Sequence, residues 1–270
     1  MSTTANEHRG GRARLTATFM RVGVMNEMQY RINFFLQLIQ SLMTVGTGLV
    51  ILAVVFSKTD DLGGWSRPQL LAVMGVFTLV GGLIRTFIQP NMQRVVADVR
   101  DGKLDFALTK PADAQLLVSI RDVRFWELTD VLVGLAVLVV ALVQLRPSAS
   151  WKDVVAFVVL LLSGLISIYC FWLMLASASF WLVRIDEVQE LFDGLFRAGQ
   201  YPVGIYPGWL RYGLTFIIPI AFAITVPSEA LTGRLAWQSV AVMVAFTSVL
   251  LVLSRWCWKR GLRRYGGASA

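Results

Sequence analysis

Long uncharged apolar runs divide the chain. Residues 33–57, 68–84, 131–145, 154–183 and 235–254 contain no Asp, Glu, Lys or Arg. A helix needs about 20 apolar residues to cross the hydrocarbon core of a bilayer. The runs, extended to the nearest turn or charge signals, predict membrane helices over 33–56, 69–88, 125–145, 152–183 and 235–256. The fourth exceeds the thickness of a bilayer and is expected to tilt or project. Gly75, Gly81 and Gly82 in the second would let helices approach closely.

The stretch 201–234 does not fit this pattern. It is apolar but holds four prolines, at 202, 207, 219 and 227, and has no charge between Tyr212 and Ser228. Proline breaks a helix interior, and broken backbone at membrane depth survives only where protein or water satisfies it. Two readings follow. One is a re-entrant hairpin that descends from Pro207, Gly208 and Trp209, breaks near Pro219 and returns to Pro227. The other is a proline-kinked fifth membrane helix at about 210–226. In the hairpin reading the polar segment 184–200 must itself cross, spanning about 26 Å. Asp193 and Arg197 then form an intramembrane i,i+4 charge pair facing a protein interior or a wet cavity. In the kinked-helix reading, 184–200 is an amphipathic helix on the inner surface.

Two further segments have their own patterns. Over 12–32, Leu15, Phe19, Val22 and Met25 recur at helical spacing among charges, which predicts an interfacial helix. Residues 90–124 form a long polar connector. Val95, Val96 and Val99 suggest a short helix ended by Asp101-Gly102, and Leu104, Phe106 and Leu108 alternate with polar residues. Leu104 and Phe106 read as apolar anchors of a docking surface oriented by Arg100, Asp101, Lys103 and Asp105.

Charge orients the chain. Five Arg lie in residues 1–33, seven Lys or Arg in 85–124 and five in 255–264, whereas few lie in the intervening loops. The positive-inside pattern puts both termini and the 90–124 connector in the cytoplasm. The formal net charge of +8 flanks membrane spans without stacking platforms between the basic residues, so nucleic acid is not the expected partner. Glu127 and Asp130 stand one turn apart, with Arg121 and Arg124 nearby as expected ion-pair partners. Trp65 and Trp151 are expected interfacial anchors. Cys170 and Cys257 lack metal or redox spacing, and neither a GxxxxGK[ST] phosphate loop nor a nucleophile–base set is present. ATP hydrolysis is therefore not expected in this chain.

The order of these motifs resembles the permease subunits of ATP-binding-cassette (ABC) transporters of the type-2 exporter family. Tyr201-Pro202, Pro207-Gly208-Trp209 and Pro219 are similar in spacing to that family's outer hairpin. Arg100-Asp101-Gly102-Lys103-Leu104-Asp105-Phe106 is similar to its coupling-helix region. The short 184–200 segment departs from the family pattern. The resemblance implies an all-α polytopic membrane protein with six transmembrane helices, an N-terminal interfacial helix, a cytoplasmic coupling helix and an outer gate hairpin. It also implies two ATP-binding subunits, which would hold ATP and Mg, a second permease subunit, identical or paralogous, and a place in the plasma (inner) membrane. No cofactor is expected in this chain itself. The competing reading is an ion-coupled six-helix transporter without an ATPase, titrating at Glu127, Asp130, Glu187 or Asp193.

Overall fold

The computed structural model describes residues 31–111, 113–145, 151–182 and 186–265. The expected interfacial helix at 12–32 and the turn at Arg146-Pro147 fall almost wholly outside them, as do the side chains of Phe106 and Glu187. The described residues are helical, with no strand among them.

Besides short 3-10 turns at Arg197–Gln200 and Val203–Ile205, ten helices follow in order among the described residues: α1 Arg31–Phe56, α2 Arg67–Arg100, α3 Asp105–Leu108, α4 Ala114–Ser119, α5 Phe125–Leu145, α6 Trp151–Ala178, α7 Asp186–Phe196, α8 Gly208–Ile217, α9 Ala221–Leu231 and α10 Trp237–Leu262. Five of these (α1, α2, α5, α6 and α10) are long and apolar enough to cross a membrane. The α8–α9 pair passes the same test jointly but is bent by 80° at its break, so the number of such spans is five or six. The chain is an all-α polytopic membrane protein.

The bundle is built around α2. Of its most apolar window 78% is buried, against 22% for α1 and 28% for α5, so α2 is the central post and the others present apolar faces outward. Glycines set the closest approaches. A Cβ on Gly134 of α5 would lie 2.5 Å from the Leu79 backbone nitrogen of α2, and one on Gly75 would lie 2.9 Å from that of Leu138. Gly164 of α6 does the same for α9, its absent Cβ falling 2.5 Å from Ala223 Cα. Small residues let backbones touch where lipid supplies no hydrophobic drive between helices.

The second helix does not end at Pro90, as its sequence suggests. It runs 34 residues to Arg100, through a π-helical segment at Ile84–Ile88. Proline removes the donor that would reach the carbonyl four residues earlier. That carbonyl, Thr86 O, instead accepts from the Arg124 backbone N–H at 3.1 Å. The wider π turn and the outside donor together keep the backbone satisfied. Asp101-Gly102 does stop the helix, with Gly102 at φ +68°.

Other boundaries shift modestly. Helix α6 stops at Ala178 in a turn rather than at Val183, and α10 continues to Leu262 rather than Trp256. Trp65 is not an interfacial anchor. It is 5% exposed and lies beneath Arg234, whose guanidinium carbon is 4.7 Å from the ring centroid. Trp151 is open, at 71%.

Candidate functional site

Two features stand out: a polar cavity within the bundle and an ion-paired projection at the Arg100 end.

The cavity has a volume of about 590 Å³. Gln37, Gln40, Ser41 and Thr44 of α1 line one side, Thr78, Arg85 and Gln89 of α2 another, and Glu127 and Asp130 of α5 a third. Asp193 and Phe196 of α7, with Arg197 and Gln200 just beyond it, complete the wall. Its organising group is Arg85, which sits on the π segment of α2. The guanidinium contacts Glu127 at 3.0 Å and also bonds Asp130. Gln37 donates to the same two carboxylates, at 3.1 and 3.3 Å. The expected partners of Glu127 and Asp130 are therefore corrected. Arg121 pairs instead with Asp98 at 2.7 Å, and Arg124 donates to Gln93 at 3.0 Å. Sequence reading missed Arg85 and Gln37 because their partners are some 40 and 90 residues distant.

Both carboxylates are buried, and the distribution of donors on Asp130 is uneven. Arg85 and Gln37 both bond Oδ2, and Oδ1 has no partner. An unbonded buried acceptor costs about 1–3 kcal/mol. Ser41 Oγ is likewise buried without a partner. The threonines nearby bond back along their own helices, Thr44 to the Gln40 carbonyl and Thr78 to that of Met74.

Asp193 and Arg197 both reach this cavity, but among the described residues no ion pair joins them directly. Asp193 shares the cavity wall with Arg85 and Gln89 as well as with Arg197. The expected two-residue pair is part of a wider charge cluster. The segment carrying it runs antiparallel to α2. Asp193 lies by Gln89, Phe196 stacks on Phe77 with ring centroids 5.1 Å apart, and Ile205 reaches Gly63 beyond the start of α2.

The proline stretch starts and finishes at the Trp65 end. Ile205 lies against Gly63, and Arg234 donates to the Gly64 carbonyl at 2.6 Å. Along the stretch, Tyr201 is partly buried, Pro202 is buried, and Pro207, Gly208 and Trp209 are exposed. Pro219 is buried at the break. Ile220 and Ile224 beyond it pack on Gly199, and Ala223 packs on Gly164 midway along α6.

At the Arg100 end, Asn91 clamps the returning chain. Its Oδ1 accepts from the backbone N–H groups of Arg121 and Asp122, both at 2.8 Å, and its Nδ2 donates to the Asp122 carbonyl at 2.7 Å. Arg94–Asp122 at 3.1 Å and Arg121–Asp98 at 2.7 Å add a ladder of charge pairs. Asp113 caps α4 through the Gln115 N–H. Its carboxylate also bonds Arg255 of α10 at 2.5 Å, and this bond is the main cause holding its pKa below the usual aspartate value. Tyr169 of α6 meets Ser119 at 2.8 Å. The connector is thus a braced projection.

Within 100–106 the side chains divide. Asp101 joins Lys103 at 3.0 Å and Arg100 at 3.7 Å, and Asp105 is partly buried. Leu104 is 0% exposed, so it is packed into this chain's own core and cannot be an exposed anchor. Among the described side chains of the connector, the large apolar ones that are open are Leu108 and Leu116, 37% and 47% exposed. Leu104 opens the helical turn Asp105–Leu108, its carbonyl accepting from the Leu108 N–H at 3.2 Å.

No curated protein and no solved structure matches the chain. A family model described as ABC-2 family transporter protein matches residues 42–269. That span, well over half of the chain, takes in the central helix, most of the polar cavity's lining, the braced projection and the broken helix pair, and it implies association with an ABC ATP-binding subunit. The chain therefore belongs to the ABC-2 family and is a permease-type, multi-pass membrane protein of an ABC transporter.

Proposed function

We propose that this chain is the membrane-spanning subunit of an ABC exporter, lining the substrate path and coupled to a separate ATPase through residues 100–111 and α4. The observation that carries the reading is the construction of α2. One 34-residue helix holds Arg85 in the cavity wall and Arg94 and Asp98 in the projection. A push on the projection would be transmitted along that post to the cavity.

In this reading the Arg100 end, with both termini, is cytoplasmic and the Trp65 end faces out of the plasma membrane. Leu108 and Leu116 are the apolar contacts offered to the ATPase, oriented by Arg100, Asp101, Gly102, Lys103 and Asp105, and Leu104 supports them from below. Tyr201, Pro202, Pro207, Gly208, Trp209 and Pro219 form the outer gate, a re-entrant hairpin whose two ends meet the 57–66 loop. Segment 186–205 then supplies the sixth crossing. Two ATP-binding subunits holding ATP and Mg, and a second permease subunit, complete the transporter. Transport follows if the substrate binds the two arrangements unequally. Ion coupling by Glu127 and Asp130 has less support, because Arg85 is bonded to both.

Copurification tests this. A tagged chain extracted in mild detergent is expected to bring down a separate protein that hydrolyses ATP with Mg. A chain that transports on a proton gradient with no such partner contradicts it.

A further inference from the structure

We infer that the Asp130 end of the cavity is a binding subsite for a protonated amine carried by the substrate. The inference rests on the transport reading of the cavity and names the class of molecule that would enter it. Four observations converge. The cavity, about 590 Å³, has the size of a small-molecule site. Two buried oxygens on its lining residues, Asp130 Oδ1 and Ser41 Oγ, have no partner. The donors already present, Arg85 and Gln37, both serve Oδ2 of Asp130, leaving its other oxygen to an incoming group. Asp130 also shares its one guanidinium, that of Arg85, with Glu127. Asp130 is the more buried of the two, its side chain 5% exposed.

Other charges face the cavity. Arg124 is engaged by Gln93, and Arg197 lies with Asp193 on the α7 wall. Neither is bonded to Asp130. What Asp130 Oδ1 and Ser41 Oγ lack is a hydrogen-bond donor. An ammonium supplies three N–H donors. It would bond Asp130 Oδ1 and Ser41 Oγ, while its hydrocarbon part would lie toward Phe77 and Phe196, which also line the cavity. A neutral amide of the same length lacks the charge and two of the donors.

The test uses the full chain with its copurified partner subunits in nanodiscs of zwitterionic lipid. Radiolabelled octylamine and its N-acetyl counterpart are compared by scintillation proximity, with empty nanodiscs as the blank. Octylamine is expected to bind at least tenfold more tightly than the amide. Asp130→Asn should abolish that preference, and Ser41→Ala should weaken amine binding about threefold. Thr47→Ala should change nothing, because Thr47 bonds the Met43 carbonyl and lies off the cavity. Equal binding of amine and amide overturns the proposal and leaves the two oxygens to water. So does an unchanged preference in Ser41→Ala, which keeps every charge pair should Asp130→Asn fail to fold. Loss of the ATPase from the wild-type preparation would instead strike at the transport reading itself.

Discussion

Arg85 is the residue on which the bundle's interior depends most. It stands between Glu127 and Asp130, and truncating it would leave two buried carboxylates with only Gln37 as donor. Breaking a buried pair costs about 3–5 kcal/mol, less where one partner is part-exposed as Arg85 is. Arg85→Ala should therefore lower the melting temperature of the detergent-solubilised protein by an amount equivalent to about 2 kcal/mol. Adding Glu127→Gln and Asp130→Asn should recover part of that loss, because the uncompensated charge goes with them. Strictly additive losses would show that the three do not act as a unit. Asp113 behaves differently because it lies at the surface. Its pKa is held down chiefly by the Arg255 bond, so the stabilisation it gives is present above the ordinary aspartate pKa of about 4. It is lost as pH falls through the lower folded value. Proteolytic release of the 100–120 region should thus rise only in acid below about pH 4, and Asp113→Asn should show the raised rate at neutral pH as well. A wild-type rate that climbs between pH 6 and 8 would exclude this tie as the cause.

Among the elements, the broken pair α8–α9 and the short α7 before it decide the topology. Ile205 and Arg234 both lie by the 57–66 loop, which places the two ends of the proline stretch together. Single cysteines at Asp60 and Gly204, both exposed, in a background lacking Cys170 and Cys257, should label from the same side of the membrane. Lys103→Cys should label from the other. Labelling of the 204 position together with the 103 position would restore the kinked-helix reading. Much of this level was legible in the sequence, and the reason is hydrophobic length. Absence of charge over 33–57 and 131–145 fixes two helices to within a turn or two, and Asp101-Gly102 marks a real stop. Contacts between distant segments were not legible. Pro90 reads as a break because the donor that relieves it, the Arg124 N–H, lies far along the chain. Gly134 and Gly164 look like ordinary helix glycines until Leu79 and Ala223 are set against them. Leu104 looks like an exposed anchor because the chain that covers it is distant in sequence. The cavity itself, drawn from α1, α2, α5 and α7, has no local signature beyond the charges in its members.

At the scale of the molecule, polar chemistry is concentrated at two depths along one post. Arg85 is in the cavity; Arg94, Asp98 and Asn91 hold the projection. The exposed apolar faces of α1, α5, α6 and α10 are suited to lipid and to further subunits. Leu108 and Leu116 are open apolar side chains on the connector, and truncating a buried interface anchor typically costs about 2 kcal/mol or more. Neither side chain is part of the buried core, so Leu108→Ala with Leu116→Ala should insert and fold as wild type. The decisive measurement is ATP-driven export from membranes holding equal amounts of wild-type or doubly substituted chain, with the bound ATPase quantified in the same membranes. Wild type should export only with ATP and regardless of a protonophore, whereas the double variant should lose at least tenfold in transport, in bound ATPase, or in both. Wild-type transport and ATPase binding in the double variant would contradict coupling through this projection.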